Sequence, residues 1–158
     1  MNIITVGMAD YAIGTSPISL TTLGLGSCVG ITLYDSKTKL GGLLHIMLPS
    51  VDQARSKENL AKFADTGIPL LIDDIIERGA SKRRLEAKIV GGASMFSSKN
   101  GNLKIGERNI SSTKEVLYKL NIPIKGQDTG KNYGRTIKLD TNTGNLTVKS
   151  ALYGTIII

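Results

Sequence analysis

The sequence predicts a mixed α/β domain of the α+β type, with a mainly antiparallel or mixed sheet and a few amphipathic helices packed on it. Three observations predict this class. Short extended stretches outnumber helical ones along the chain. One long apolar set, Ile68, Leu71, Ile72, Ile75 and Ile76, recurs at helical spacing and so marks a helix with one buried face. Glycine is abundant, at 18 residues, while proline numbers 4, a balance that suits tight turns and close approaches of backbone.

Taken in order, a first strand is expected over residues 3–6 and a second extended segment over 20–23. The glycine-rich run Gly24-Leu25-Gly26-Ser27 follows. Two clear strands come next, over 28–35 and 42–48. The polar segment Asp35-Ser36-Lys37-Thr38-Lys39 between them has turn composition, so the pair reads as a β-hairpin. A helix is predicted over 66–78. Asp65 or Thr66 can cap its start, Pro69 falls in its first turn where a missing N–H is tolerated, and Gly79 suits its stop. A strand over 85–90 leads into Gly91-Gly92-Ala93. A second helix is expected to start after Ser111 or Ser112 and to stop near Asn121, ahead of Pro123. The remaining strands are placed over 122–124, 135–139, 145–149 and 152–158.

Composition narrows the class of function. The chain of 158 residues suits one domain spanning 1–158, and 41% hydrophobic with 21% charged residues describes a globular fold with a core, not a disordered chain. The start MNIITVGM lacks the basic and apolar segments of a signal peptide, and no apolar run reaches the length of a membrane span, so a cytoplasmic location is expected. The formal net charge of +7 favours acidic partners. Its positive residues are scattered, however. The tight cluster Lys82-Arg83-Arg84 sits in an expected turn, where a solvated loop explains it, and no aromatic-rich strand accompanies it as a nucleic-acid surface requires.

Cys28 is the only cysteine and His45 the only histidine. That excludes an intrachain disulfide and any zinc site built from several Cys and His ligands. It also leaves a single pairing for cysteine–histidine chemistry. Side chains alternate faces along a strand. Val29, Ile31 and Leu33 share one face of the hairpin with Leu44, Ile46 and Leu48, an obvious core surface. The other face carries Cys28, Gly30, Thr32 and Tyr34 beside Leu43, His45 and Met47. A loop of two or four residues pairs Gly30 with His45 and makes Cys28 its diagonal neighbour, roughly 7–8 Å away at the backbone. A loop shifted by one residue places Cys28 directly opposite His45. Taken singly, either residue could be a plain core side chain; their shared face is what points to chemistry.

A free thiol with a pKa of about 8.5 is mostly protonated at neutral pH, and a neighbouring imidazolium can stabilise the thiolate as an ion pair and raise its fraction. The thiolate can attack an amide carbon, imidazolium can protonate the departing nitrogen, and water then releases the acid from the thioester. Backbone N–H groups near Ser27 and Cys28, at the end of the glycine-rich run, are candidates for the oxyanion site. Thr22, six residues ahead of Cys28, could offer a hydroxyl or a carbonyl to orient the histidine. The pair Gly24-x-Gly26 lacks the third glycine and the following helix of a dinucleotide fingerprint, so a phosphate site is not supported.

At these residues the sequence resembles the CheD family of chemoreceptor glutamine deamidases. The resemblance is carried by Thr22-Leu23-Gly24-Leu25-Gly26-Ser27-Cys28-Val29 and by His45-Ile46-Met47-Leu48-Pro49. It continues through Lys88-Ile89-Val90-Gly91-Gly92-Ala93 with Met95-Phe96, through Gly106-Glu107-Arg108-Asn109, and through Gly134-Arg135. It implies a layered α/β sandwich like that of deamidating bacterial toxins, and a catalytic set of Cys28, His45 and Thr22. The implied reaction converts glutamines on the cytoplasmic domain of methyl-accepting chemotaxis receptors to glutamate, with loss of ammonia and without a cofactor or metal. Receptor glutamyl methylesterase activity is associated with the same family, as is binding of a CheC-type phosphatase. A catalytically weak regulator acting through that phosphatase is the competing function. Gly91, Gly92, Arg108, Asn109 and Arg135 match the family without a derived role, and turns or surface ion pairs are their default readings.

Overall fold

The protein was analysed as a computed structural model that describes residues 2–54, 56–94 and 104–158. Met95 and Phe96 lie outside those residues. Ten strands and two α-helices run in the order β1 (Ile3–Thr5), β2 (Asp10–Thr15), β3 (Ser19–Leu25), β4 (Val29–Asp35), β5 (Leu40–Ile46), α1 (Ala64–Glu77), β6 (Glu86–Gly91), α2 (Ile105–Lys119), β7 (Ile124–Thr129), β8 (Arg135–Asp140), β9 (Leu146–Ser150) and β10 (Gly154–Ile157). The strands form two sheets where the sequence suggested one. The first has the order β1-β3-β8-β9-β10 and the second β2-β5-β4-β6-β7.

Two cores explain the layers. Val29, Ile31 and Leu33 of β4 and Leu44 and Ile46 of β5 pack with Ile68, Leu71, Ile72 and Ile75 of α1 and Leu117 of α2. The predicted apolar face of the hairpin is therefore the face that the helices cover. The opposite face is no solvent surface either. Cys28 and Leu43, with Val90 of β6, pack on Leu20 and Leu25 of β3 and on Ile137, Leu139, Leu146 and Val148 from the facing sheet. The result is a sandwich of sheet, sheet and helices, in which both faces of the second sheet are buried.

The hairpin register is the one a four-residue loop gives. Asp35 pairs with Leu40 across residues 36–39, and Gly30 pairs with His45. Other expectations are corrected. The strand β2 was not anticipated; its Asp, Ala and Gly content gives little strand signal, and it forms by adding to the free edge of β5. Helix α1 begins two residues earlier than predicted, which puts Pro69 in its second turn. Neither Asp65 nor Thr66 caps it: the Asp65 carboxylate accepts from Ser50 Oγ and Val51 N, and the Thr66 hydroxyl donates to Leu60 O. Gly79 does take the left-handed conformation, at φ +122°, just past the helix. Helix α2 begins at Ile105, well ahead of the predicted start. Gly106, Asn109, Ser111 and Ser112 are poor helix formers, and tertiary packing holds them helical.

Candidate active site

The chain crosses from one sheet to the other between Leu25, the last residue of β3, and Val29, the first of β4. Cys28 ends that crossing. Two residues on, Gly30 faces His45 across the β4–β5 ladder, so the thiol is the diagonal neighbour of the imidazole on the inter-sheet face. The space opposite His45 is not left to the ring, however. A side chain at Gly30 would run into Ile137 Cδ1 at 2.8 Å and Leu25 Cδ1 at 3.1 Å, so the facing sheet fills it.

Thr22 lies on β3 in the facing sheet, with its side chain turned inward and fully buried. Its hydroxyl oxygen stands 2.7 Å from Nδ1 of His45, so this contact spans the two sheets. The same hydroxyl donates to the carbonyl of Val6 at 2.7 Å. A threonine hydroxyl has one proton. With that proton given to Val6 O, the hydroxyl meets Nδ1 as an acceptor, and Nδ1 must carry the ring proton. Nε2 is then the unprotonated nitrogen. It is buried and has no hydrogen-bond partner among the described residues. The neighbouring Thr21 turns the other way and donates to Ile137 O at 2.7 Å. Among the two adjacent threonines, the structure brings Thr22 to the histidine.

Burial sets the protonation of the pair. It pushes the Cys28 thiol above its ordinary value, opposed by the residue's own backbone N–H. It pushes the His45 imidazole below its ordinary value. Desolvation penalises the charged form in each case, so the free site holds a neutral thiol and a neutral imidazole. An ion pair formed in advance, which the sequence suggested, is not what these surroundings favour. Cys28 is 9% exposed, so access to sulfur is narrow.

A shell that the sequence left without roles holds the cysteine in place. Gly91 lies opposite Val29, and Gly92 N donates to Cys28 O at 2.8 Å. A Cβ on Gly91, at φ +111°, would stand 2.3 Å from that carbonyl oxygen. The first turn of α2 presses on the same loop: a Cβ on Gly106 would meet Ala93 O and Gly92 O at 2.5 Å each. This approach brings the fully buried Asn109 over the cysteine, where its Nδ2 donates to Ser27 O at 2.8 Å and to Met47 O at 3.0 Å. Neither the Ser27 nor the Cys28 amide has a backbone acceptor among the described residues. Arg135 is no surface residue: its side chain is buried, pairs with Asp128 at 3.1 Å, donates to Gly130 O at 2.8 Å and lies over the Tyr133 ring. It thereby braces the loop whose Lys131 carbonyl accepts from Ser94 N. Arg108 is exposed and takes no part in this shell. No cluster of three or more His, Cys, Asp or Glu suited to a metal occurs among the described residues. Nor is any helix among them long and apolar enough to cross a membrane.

The family profile described as CheD chemotactic sensory transduction matches residues 47–150. A protein of Methanosarcina acetivorans called probable chemoreceptor glutamine deamidase CheD 1 is 55% identical over 152 residues, covering 96% of this chain and 94% of its own. Probable chemoreceptor glutamine deamidases CheD of Caldanaerobacter subterraneus and Pyrococcus abyssi are 53% and 50% identical, each covering 95% of its own length and 96% and 98% of this chain. The profile match starts just beyond His45, whereas the relatives extend over almost the whole chain.

Proposed function

This chain belongs to the CheD family, and on that premise we propose how it acts: it is a protein-glutamine glutaminase that deamidates chemoreceptor glutamines, with Cys28 as nucleophile, His45 as general base and acid, and Thr22 as the group that orients the imidazole. The observation that carries the mechanism is the double engagement of the Thr22 hydroxyl, which leaves His45 Nε2 as a buried, unpartnered base on the cysteine's face of the sheet.

The steps follow from the neutral pair. As Sγ attacks the side-chain carboxamide carbon, its proton passes to Nε2, and imidazolium forms while Nδ1–H stays on Thr22. The oxyanion of the tetrahedral intermediate is met by the Ser27 and Cys28 amides. Imidazolium gives its proton to the nitrogen, the C–N bond breaks, and ammonia leaves a thioester on Cys28. Nε2 then takes a proton from water as its oxygen attacks the thioester; the C–S bond breaks, imidazolium returns the proton to sulfur, and the glutamate side chain leaves with the thiol restored. A glutamine side chain suits a cysteine that is only 9% exposed, because its two methylenes can carry the carboxamide in to the sulfur. The same acyl-thioester route serves a glutamyl methyl ester, with methanol leaving in place of ammonia. Binding of a CheC-type phosphatase rests on the family resemblance alone.

The test is ammonia release from a receptor cytoplasmic fragment, with mass spectrometry locating the amide-to-acid exchanges. Cys28→Ala should reduce both to the blank, and retained release would remove Cys28 from its role. A second reading, a regulator that acts by binding a CheC-type phosphatase, is favoured by the thiol that burial holds above its ordinary value. Sluggish iodoacetamide labelling together with absent ammonia release would select it.

A further inference from the structure

We propose that Asn109 is a positioning residue that aims the Cys28 backbone N–H and ties the cysteine loop to the histidine strand. Both hydrogens of its amide are committed, one to Ser27 O at 2.8 Å and the other to Met47 O at 3.0 Å. Those acceptors bracket the site. Ser27 O and the Cys28 N–H belong to one peptide unit, and a trans peptide points them in opposite directions. Holding the carbonyl therefore fixes where the N–H points, and a hydrogen bond to the carbonyl strengthens the N–H as a donor. Met47 lies two residues past His45, so the second bond fixes the cysteine loop against the end of the strand that carries the base. One planar amide spans the two.

The rest of the environment fits a side chain kept for its donors. Asn109 is fully buried, and its Oδ1 has no hydrogen-bond partner among the described residues. The amide cannot turn over without setting its oxygen against two carbonyls. The helix that bears it is seated by the close contact of Gly106 with Gly92 and Ala93, and by Ser112, whose hydroxyl donates to Pro49 O at 2.7 Å. These contacts hold the amide at a fixed distance from Ser27.

This inference rests on the reading of Cys28 as nucleophile with its own amide in the oxyanion site, and the experiment separates the two. Asn109→Asp keeps the shape but removes both donors, and Asn109→Ala removes the side chain. Each is assayed below its own thermal midpoint beside Cys28→Ala and His45→Ala. For the folded Asn109 variants kcat should fall by about 10²-fold with KM little changed, the pattern of a misaimed reacting group. The pH profile of Cys28 alkylation by iodoacetamide should move toward that of His45→Ala. A side chain that served only folding would lower the midpoint and leave both readouts at wild type, and that result would overturn the proposal. If Asn109→Asp does not fold, the Asn109→Ala readouts decide. Retained ammonia release in Cys28→Ala would instead bring down the underlying mechanism, whatever the Asn109 variants do.

Discussion

At the turn end of the β4–β5 hairpin the buried Asp35 carboxylate accepts from the Lys37, Thr38 and Ser81 amides and from both Nε and Nη2 of Arg84, at 2.9 and 3.0 Å. At the open end His45 Nε2 has no partner among the described residues, nor have Asn109 Oδ1 and Thr113 Oγ1 of α2. Thr38 Oγ1 is the one orphan at the turn. The same two strands thus carry a polar group satisfied on every side and, five residues along β5, a base left with an open lone pair. An unpaired buried polar atom costs about 1–3 kcal/mol. Stability alone would select against such atoms, so the unpaired His45 Nε2 and Asn109 Oδ1 near the cysteine loop support the proposal that this end of the hairpin binds and reacts.

The contrast predicts that changes to polar side chains at the open end strike activity, whereas changes to those at the turn end, and to the backbone that holds the cysteine loop, strike stability. After Cys28→Ala, the largest effect belongs to His45→Ala, which should lower kcat/KM for ammonia release by about 10²–10⁴-fold, the usual worth of a general acid–base group. Its pH dependence sharpens the point. In the proposed mechanism neutral imidazole is the base, and burial lowers its pKa. Activity should therefore persist as pH falls past the ordinary histidine value of about 6.5 and fail only below it. An acid limb above that value would break the contrast, since it would show a site held in the charged form.

Next comes Gly91→Ala. The new Cβ would sit 2.3 Å from Cys28 O in a left-handed conformation, whereas one at Gly24, also left-handed at φ +70°, would meet nothing within 4 Å. Urea unfolding should show a loss of about 3 kcal/mol for Gly91→Ala, strain plus overpacking, against about 1–2 kcal/mol for Gly24→Ala. Equal losses would mean that the loop yields freely and the cysteine is not held.

The smallest effect is Asp35→Asn, which should leave kcat alone and lower the thermal midpoint by about 3–6 °C at pH 7. Burial alone would raise the Asp35 pKa, but Arg84 and the Ser81, Lys37 and Thr38 amides outweigh it and hold the carboxyl well below the usual range. A folded pKa below the unfolded value of about 3.9 gives stability that is full above that value and lost as pH falls through the folded one. The gap between variant and wild-type midpoints should therefore shrink on acidification below pH ~4. A gap that stays constant in acid would show that the carboxylate charge is not what stabilises the turn. The cluster Lys82-Arg83-Arg84, which composition alone assigns to a solvated loop, thus supplies through Arg84 the partner of a buried acid.

What the amino-acid sequence determined by itself was local. The pleat dictates that alternate residues share a face, and a polar segment of turn composition limits the register, so Cys28 and His45 were assignable to one side of one hairpin from their positions. The helical spacing of Ile68, Leu71, Ile72 and Ile75 likewise named the face that meets the hairpin. What only the tertiary structure decided was every contact made across layers. Thr22 reaches His45 from the other sheet, Asn109 reaches Ser27 because two glycines, Gly92 and Gly106, let a helix close on a loop, and Asp128 takes the buried Arg135 from a separate strand. No periodicity encodes these partners. They depend on how two sheets and a helix pack, and packing is settled by side chains far apart in the chain acting together.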